Sequence, residues 1–359
     1  MGFEWVKVEN FRCLNRLHIE QLGQVNLITG RNSVGKSYLL EALELCGAEA
    51  TLATLLRQMA ERGQLAEPAE QTGKLRSFGA LPRHRFDTVF HGWAADMVPA
   101  ECTLATDRGP VAVALELCAT HGPDGPEEDL RLCLTRNGQR FSLDLFARDP
   151  VAAAERDELL ALAPRGDHAG GGAACFRWRV GCPDQERLAK AWDRIGLLPE
   201  AATVIGILQL VHPEVTGVQF VESPTRRREA QVKLREVAKP VPLGSLGDGA
   251  LRLLTIAVAL ATSVGEVLLL DEIDAGLHYS VQPDLWRVIC QTARELNVQV
   301  FATTHSCDCV LGFQRALCAE PDTRGFLHRL QAASEGIRTT TLGVDELAAA
   351  TAADLEVRG

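Results

Sequence analysis

Long apolar runs are missing from this 359-residue chain: none reaches the roughly 18–20 residues a membrane-spanning helix needs. The most apolar helix-like stretch, Ile256 to Val264, is broken by Thr262 and Ser263 and leads into Glu266. The start, MGFEWVKVENF, has acidic residues and no apolar core of a secretory signal. Val6 stands where a myristoylation signal needs Ser or Thr. A cytosolic (cytoplasmic) protein with no membrane partner is expected. Paired cysteines are missing too. The eleven cysteines include no C-x-x-C, and their odd number excludes a complete disulfide framework. Cys307-x-Cys309 beside His305 is too tightly spaced for a usual zinc site, so free thiols are expected. Positive charge is short: the net charge of −10 excludes a general polycation for nucleic acid. Two local basic runs remain as DNA candidates: Arg83, His84 and Arg85, and Arg226, Arg227 and Arg228 with Lys233 and Arg235. Internal repeats and coiled-coil heptads are also absent.

What is present alternates between sheet-like and helical pattern. FEWVKVENF and LNRLHIE read as strands, and Val25 to Ile28 as a short buried strand. A glycine-bounded loop follows, then SYLLEALELCG, a helix with Leu39, Leu40, Leu43 and Leu45 on its stripe and Gly47 at its end. An amphipathic helix is expected from Ala48 to about Glu67. Hairpins are expected at Arg108-Gly109 and at Asn137-Gly138. The chain from Asp149 to Pro199 reads as helical, interrupted by a flexible glycine loop at His168 to Ala174. Val218 to Val221 and Glu229 to Leu234 suggest a further hairpin. The last third returns to α/β order: a buried helix Ala250 to Thr262, strand Val267 to Leu270, helix Val281 to Leu296, strand Val298 to Thr303, a hairpin at Glu335-Gly336 and a helix from Asp345.

Three motifs carry chemistry. Gly30-Arg31-Asn32-Ser33-Val34-Gly35-Lys36-Ser37 fits the phosphate-binding loop G-x-x-x-x-G-K-[ST], with a strand before it and a helix after it. Its backbone N–H groups close on a β-phosphate, Lys36 bridges the β- and γ-phosphates and Ser37 ligates Mg²⁺. ATP and Mg²⁺ are therefore the expected cofactors. The strand Val267-Leu-Leu-Leu brings Asp271 to its carboxyl end to hold the Mg²⁺, and Glu272 to orient or deprotonate the attacking water. Thr303-Thr304-His305-Ser306 ends the next strand, so His305 is expected at the γ-phosphate. Ser245, Gly247, Asp248 and Gly249 precede the buried helix; they read equally as an anion cradle and as a plain N-cap.

Together GRNSVGKS, LGSLGDG, VLLLDEIDAGLH and ATTHS resemble the Walker A, signature, Walker B with D-loop, and switch-histidine motifs of ABC-type ATPases, in the non-transporter branch of RecF, SMC and OLD-family proteins. Roughly the first 47 and last 120 residues carry the resemblance. It implies an α/β ABC-type head: a mixed β layer and a parallel sheet with flanking helices, plus a mostly helical insert. The expected divisions are an N-terminal lobe at 1–47, the insert with its β-hairpins at 48–240, a C-terminal lobe at 241–320 and a closing hairpin and helix at 321–359. It further implies that Ser245, Gly247, Asp248 and Gly249 contact the γ-phosphate of ATP bound to a second subunit, across a homodimer or higher homo-oligomer. Ala275 to His278 would be the D-loop, with His278 where transporters carry Asp. Gln58, Gln64 and Gln71 are open candidates for the Gln-loop residue. The ending, a hairpin and an acidic helix finishing in Glu-Val-Arg, resembles stand-alone ATPases of bacterial antiphage systems, whereas OLD-family nucleases continue into a TOPRIM domain. The implied role is an ATP-driven switch gating a separately encoded effector such as a TOPRIM-like nuclease. A RecF-like repair ATPase that binds DNA and a slow nucleotide-sensing scaffold are the alternatives.

Overall fold

Hydrophobic patterning puts three short strands at the centre. VNLITG, VLLLD and QVFAT are buried at every position, which a strand achieves only when both faces of its sheet are covered. A computed structural model of the chain describes residues 2–47, 52–64, 87–92, 100–122, 125–144, 175–180, 183–223, 227–334 and 336–353. In order they form β1 (Val6–Phe11), β2 (Leu14–Ile19), β3 (Val25–Gly30), α1 (Lys36–Cys46) and α2 (Leu52–Glu61). Then come β4 (Ala100–Thr106), β5 (Gly109–Gly122), β6 (Gly125–Arg136), β7 (Gln139–Asp144), β8 (Cys175–Arg179), α3 (Gln185–Ile195) and α4 (Glu200–Gln209). β9 (Val215–Glu222), β10 (Arg228–Leu234), β11 (Val241–Pro242), α5 (Asp248–Thr262), β12 (Val267–Asp271) and α6 (Gln282–Glu295) follow. The described chain closes with β13 (Gln299–Thr303), α7 (Cys307–Ala319), β14 (Gly325–Ala333), β15 (Gly336–Leu342) and α8 (Val344–Ala352).

The central sheet runs β15-β14-β3-β13-β12-β8, parallel except for the edge strand β15. Its faces feed two cores. Leu268 and Leu270 pack with Trp178, Leu253, Trp286 and Phe313 beneath α5, α6 and α7. Val267, Leu269 and Ile28 turn the other way, onto Leu39, Leu40 and Leu43 of α1. Each such buried side chain contributes roughly 1.5–3 kcal/mol. Above α1 lies an antiparallel sheet of order β2-β1-β4-β5-β6-β7. Asn137 and Gly138, both at positive φ, make the tight turn between β6 and β7. A third sheet, β11-β10-β9, flanks α3 and α4.

The head layout agrees with expectation, and so do the hairpins at Arg108-Gly109, at Asn137-Gly138 and between β9 and β10; the mostly helical character expected of the insert does not. Between 48 and 240 the described residues hold more strand than helix, with four strands extending the sheet begun by β1 and β2. The helix expected over 149–199 is also corrected: Cys175–Arg179 is a strand completing the central sheet beside β12. Its buried Arg177 interrupts the apolar pattern by which a central strand is recognised. Residues 83–85, 149–174 and Gln71 lie outside the described residues. Within them, no helix is long and apolar enough to cross a membrane.

Candidate functional site

The loop between β3 and α1 is shaped by backbone needs. Gly30 has φ +148, and a Cβ there would lie 2.5 Å from the Leu330 carbonyl oxygen. Gly35, at φ +104, is pressed against Leu14 and Cys13 of the β1–β2 hairpin. Gly35 is also the N-cap of α1 and offers no side-chain cap, so the first-turn N–H groups of that helix are open to an anion. Lys36 curls back, donating from Nζ to the carbonyls of Gly30 (2.7 Å) and Arg31 (3.0 Å). Burial lowers its pKa, against the opposing pull of Asp271, Glu272 and Asp274.

Residues 234 apart in sequence meet at the mouth of this loop: the Ser37 hydroxyl donates to Asp271 Oδ1 at 3.0 Å. Thr303 Oγ1 donates to the same oxygen at 2.7 Å and accepts the Glu272 N–H at 2.8 Å. One hydroxyl thus aligns the two acidic residues. Asp271 is buried, whereas Glu272, just past the end of β12, is exposed and held at φ +55. His305 follows β13, exposed at the same end of the sheet. Its neighbours are pinned: Thr304 Oγ1 donates to Asp274 at 2.6 Å, and Ser306 caps α7 by accepting the Cys309 N–H.

The segment expected as the signature lies at the surface. Ser245, Gly247 and Asp248 are exposed, the Ser245 hydroxyl donates to the Pro242 carbonyl at 2.6 Å, and Gly247 adopts φ +99 ahead of α5. Gly249 approaches the Gly276 carbonyl, so this segment and the turn at Ala275 to His278 are adjacent. His278 accepts the Ser280 N–H and caps the turn at Tyr279–Val281.

Behind α1 lies a charged cluster with no sequence signal beyond its residue types. Glu41 and Glu44 are buried on α1. Glu41 meets Arg12 (3.2 Å), Arg62 (2.6 Å) and Arg177 (3.3 Å). Glu44 meets Arg57 (2.6 Å), Arg177 (3.3 Å) and the Gln58 amide (2.8 Å). Burial alone would raise Glu44's pKa, but Arg57 and Arg177 outweigh it and hold the carboxyl below its usual range. Gln58 and Gln64, two of the candidates for the Gln-loop residue, belong here, Gln64 accepting from Arg12 and Gln58 donating to the Glu41 carbonyl. Other candidates are also accounted for. Arg228 is bidentate to Asp193, and Lys233 donates to backbone carbonyls. Cys309 is buried against Trp286, its thiol pushed up to about 12. No group of three or more His, Cys, Asp or Glu among the described residues could hold a metal.

Both stretches that form this site match known family models. Residues 6–49 match an AAA domain, and residues 189–309 match the model described as "AAA domain, putative AbiEii toxin, Type IV TA system". The chain is 20% identical over 331 residues, 84% of each protein, to an ATP/GTP phosphatase of Helicobacter pylori. A 42-residue stretch is 48% identical to the uncharacterized protein MJECL10 of Methanocaldococcus jannaschii, covering 12% of this chain and 19% of that one. Among solved structures, an SMC head bound to the C-winged helix domain of ScpA aligns with TM-score 0.52 at 14% identity, covering 96% of this chain and 99% of that one. The fold is that of an SMC-like P-loop head.

Proposed function

We propose that the chain is a Mg²⁺-dependent ATPase whose site lies between the Gly30–Ser37 loop and Asp271–Glu272. The observation carrying this is the 3.0 Å contact of Ser37 with Asp271 beside an uncapped helix N-terminus. A hydroxyl and a carboxylate converging there suit Mg²⁺, a hard cation preferring oxygen ligands. Bound there, the ion would neutralise charge between the β- and γ-phosphates. N–H groups of Arg31 to Ser37 would cradle the phosphates, and Lys36 would leave its loop carbonyls for the β- and γ-oxygens. The water oxygen then bonds to the γ-phosphorus as the bond to the β–γ bridging oxygen breaks. Glu272 takes the water's proton, ADP leaves with the electron pair, and phosphate is the other product. His305 donates to a γ-phosphate oxygen. The AAA-domain matches and the ATP/GTP phosphatase relative support this reading. Lys36→Ala should abolish ATP binding in calorimetry. Glu272→Gln should bind ATP yet turn it over at least about 10²-fold more slowly. Unchanged turnover in Glu272→Gln refutes its assignment as the base.

The exposed Ser245, Gly247 and Asp248, with half-buried Gly249 beside them, support completion of each site by a second copy. Such ATP-closed dimers would gate a separately encoded effector, for which a nuclease acting in antiphage defence is our reading. The SMC head that binds ScpA exemplifies a head carrying a protein partner. Gating requires the effector to bind open and closed dimers with different affinity. Co-purification of the neighbouring gene product with wild type and Glu272→Gln, with and without ATP, tests it. DNA cleavage or remodelling by the ATPase alone, with no associated protein, would favour direct DNA action instead.

A further inference from the structure

β8 brings a cation to the site that no motif announces. The strand pairs in parallel with β12, and the register sets Arg177 beside Leu269 and Arg179 beside Asp271. The Val180 N–H donates to the Asp271 carbonyl at 3.1 Å, so the pairing continues to the sheet's carboxyl edge. Register partners in a parallel pair point to the same face, about 4.8 Å apart. Packing identifies that face. Leu268 and Leu270 share a core with Trp178 and Val180, whereas Leu269 packs against α1 and Asp271 bonds Ser37 at the start of α1. Arg177 obeys the same alternation, reaching Glu41 and Glu44 deeper along α1. Arg179 therefore stands on the Ser37–Asp271 face, two residues nearer the phosphate loop than Arg177.

The two arginines differ in what holds them. Arg177 is 1% exposed and bonded to three carboxylates, and so is structural. Arg179 is 41% exposed, and its described partner is Glu61 at 3.8 Å, beyond hydrogen-bond distance. Both Glu61 oxygens are already taken, one by Arg57 and the other by Arg177. The sheet order places β13 and the phosphate loop on one side of Asp271 and β8 on the other. Because the metal of a bound triphosphate bridges β- and γ-oxygens, a metal held by Ser37 and Asp271 would keep the γ-phosphate beside the end of β12, the strand that β8 borders.

We infer that Arg179 is a catalytic residue that donates to the γ-phosphoryl oxygens of ATP, an arginine supplied in cis from β8. This rests on the nucleotide-site reading above. A guanidinium fixed at that position stabilises the charge spread over the γ-oxygens in the transition state. It exchanges no proton; Glu272 remains the acceptor.

The test compares Arg179→Ala and Arg179→Lys with wild type, measuring kcat and, separately, the Kd for ATP by calorimetry. Arg179→Ala should lose about 10²-fold or more in kcat, with Kd changed by less than about threefold. Lysine, which keeps the charge but not the fork, should restore part of the rate, and free guanidinium should partly rescue the alanine variant. Neither a rate split from affinity nor guanidinium rescue is expected of a merely structural residue. A second measurement uses wild type alone: phenylglyoxal modification of Arg179, followed by peptide mass spectrometry. ATP should protect Arg179 and ADP should not. Wild-type kcat in Arg179→Ala, or equal modification with and without ATP while calorimetry shows ATP bound, overturns this inference and leaves the nucleotide site standing. A wild type that binds no ATP overturns both.

Discussion

Glu44→Gln tests the charged cluster behind the P-loop helix, because the change keeps volume and removes only charge and acceptor geometry. Glu44 accepts from Arg57 through one oxygen, and from Gln58 and Arg177 through the other. In glutamine, one of those atoms becomes an NH₂. If the remaining oxygen keeps Arg57, the new donor faces the donors of Gln58 and Arg177, so two contacts are lost. Hydrogen bonds to charged groups contribute about 1.5–3 kcal/mol each. Breaking a buried pair costs about 3–5 kcal/mol. Arg57 retains Glu61, and Arg177 retains Glu41 and Glu61, which limits the loss. The expectation is about 3 kcal/mol, a large share of the roughly 5–15 kcal/mol that holds a typical domain. Guanidinium unfolding followed by tryptophan fluorescence reads it, with Arg287→Gln at the exposed Asp284 pair as a control that loses under about 1 kcal/mol. The sign with pH is fixed as well. Glu44's folded pKa is depressed, so its contribution is complete above the unfolded carboxylate pKa and fades as pH falls below it. The gap between wild type and variant should narrow in acid. A variant no less stable than the control at pH 7 would refute the idea that this cluster anchors α1.

Three further outcomes are expected. Thr303→Val removes the hydroxyl that aligns Asp271 and Glu272, so the Mg²⁺ concentration for half-maximal ATPase should rise about tenfold; an unchanged requirement would deny Thr303 that role. His328 is buried against Asn26 and Thr341, and burial lowers its pKa to about 3. The unfolded state therefore binds a proton first as pH drops below about 6.5, and stability should fall by up to about 1.4 kcal/mol per pH unit, a slope missing from His328→Gln; parallel unfolding curves at pH 7.5 and 5.5 would contradict this. Ser245→Arg should block hydrolysis without weakening ATP binding, and mixing it with Lys36→Ala should restore some ATPase; no recovery in proven heterodimers would count against shared sites.

What could be read in the sequence was what backbone geometry dictates. Gly30 and Gly35 are required by contacts under 3 Å, Asn137-Gly138 by a turn with two positive φ angles, and Val267 to Leu270 by burial on both faces. Each leaves a local pattern. β8 leaves none, because Arg177 occupies a buried position that the distant Glu41, Glu44 and Glu61 make tolerable. Thr303 stood in view within Thr303-Thr304-His305, but its role depends on Asp271, 32 residues away. The hairpins β4–β5 and β6–β7 were legible from their turns at Arg108-Gly109 and Asn137-Gly138, but their joining to one sheet was not, because β4 pairs with β1, far back in the chain.

The strand order of the central sheet has a consequence for how the protein is made. β3 is complete by residue 30, yet its two neighbours, β13 and β14, begin only at 299 and 325. During synthesis the P-loop strand must wait, both edges bare, until the segments beginning at 299 and 325 have left the ribosome. Pairings of such high contact order form slowly, and bare apolar edges invite association with other chains. Amino-terminal fragments ending before residue 299 should therefore be insoluble however well their nucleotide loop is preserved. The site's first residues are thus made long before the strands that close its fold.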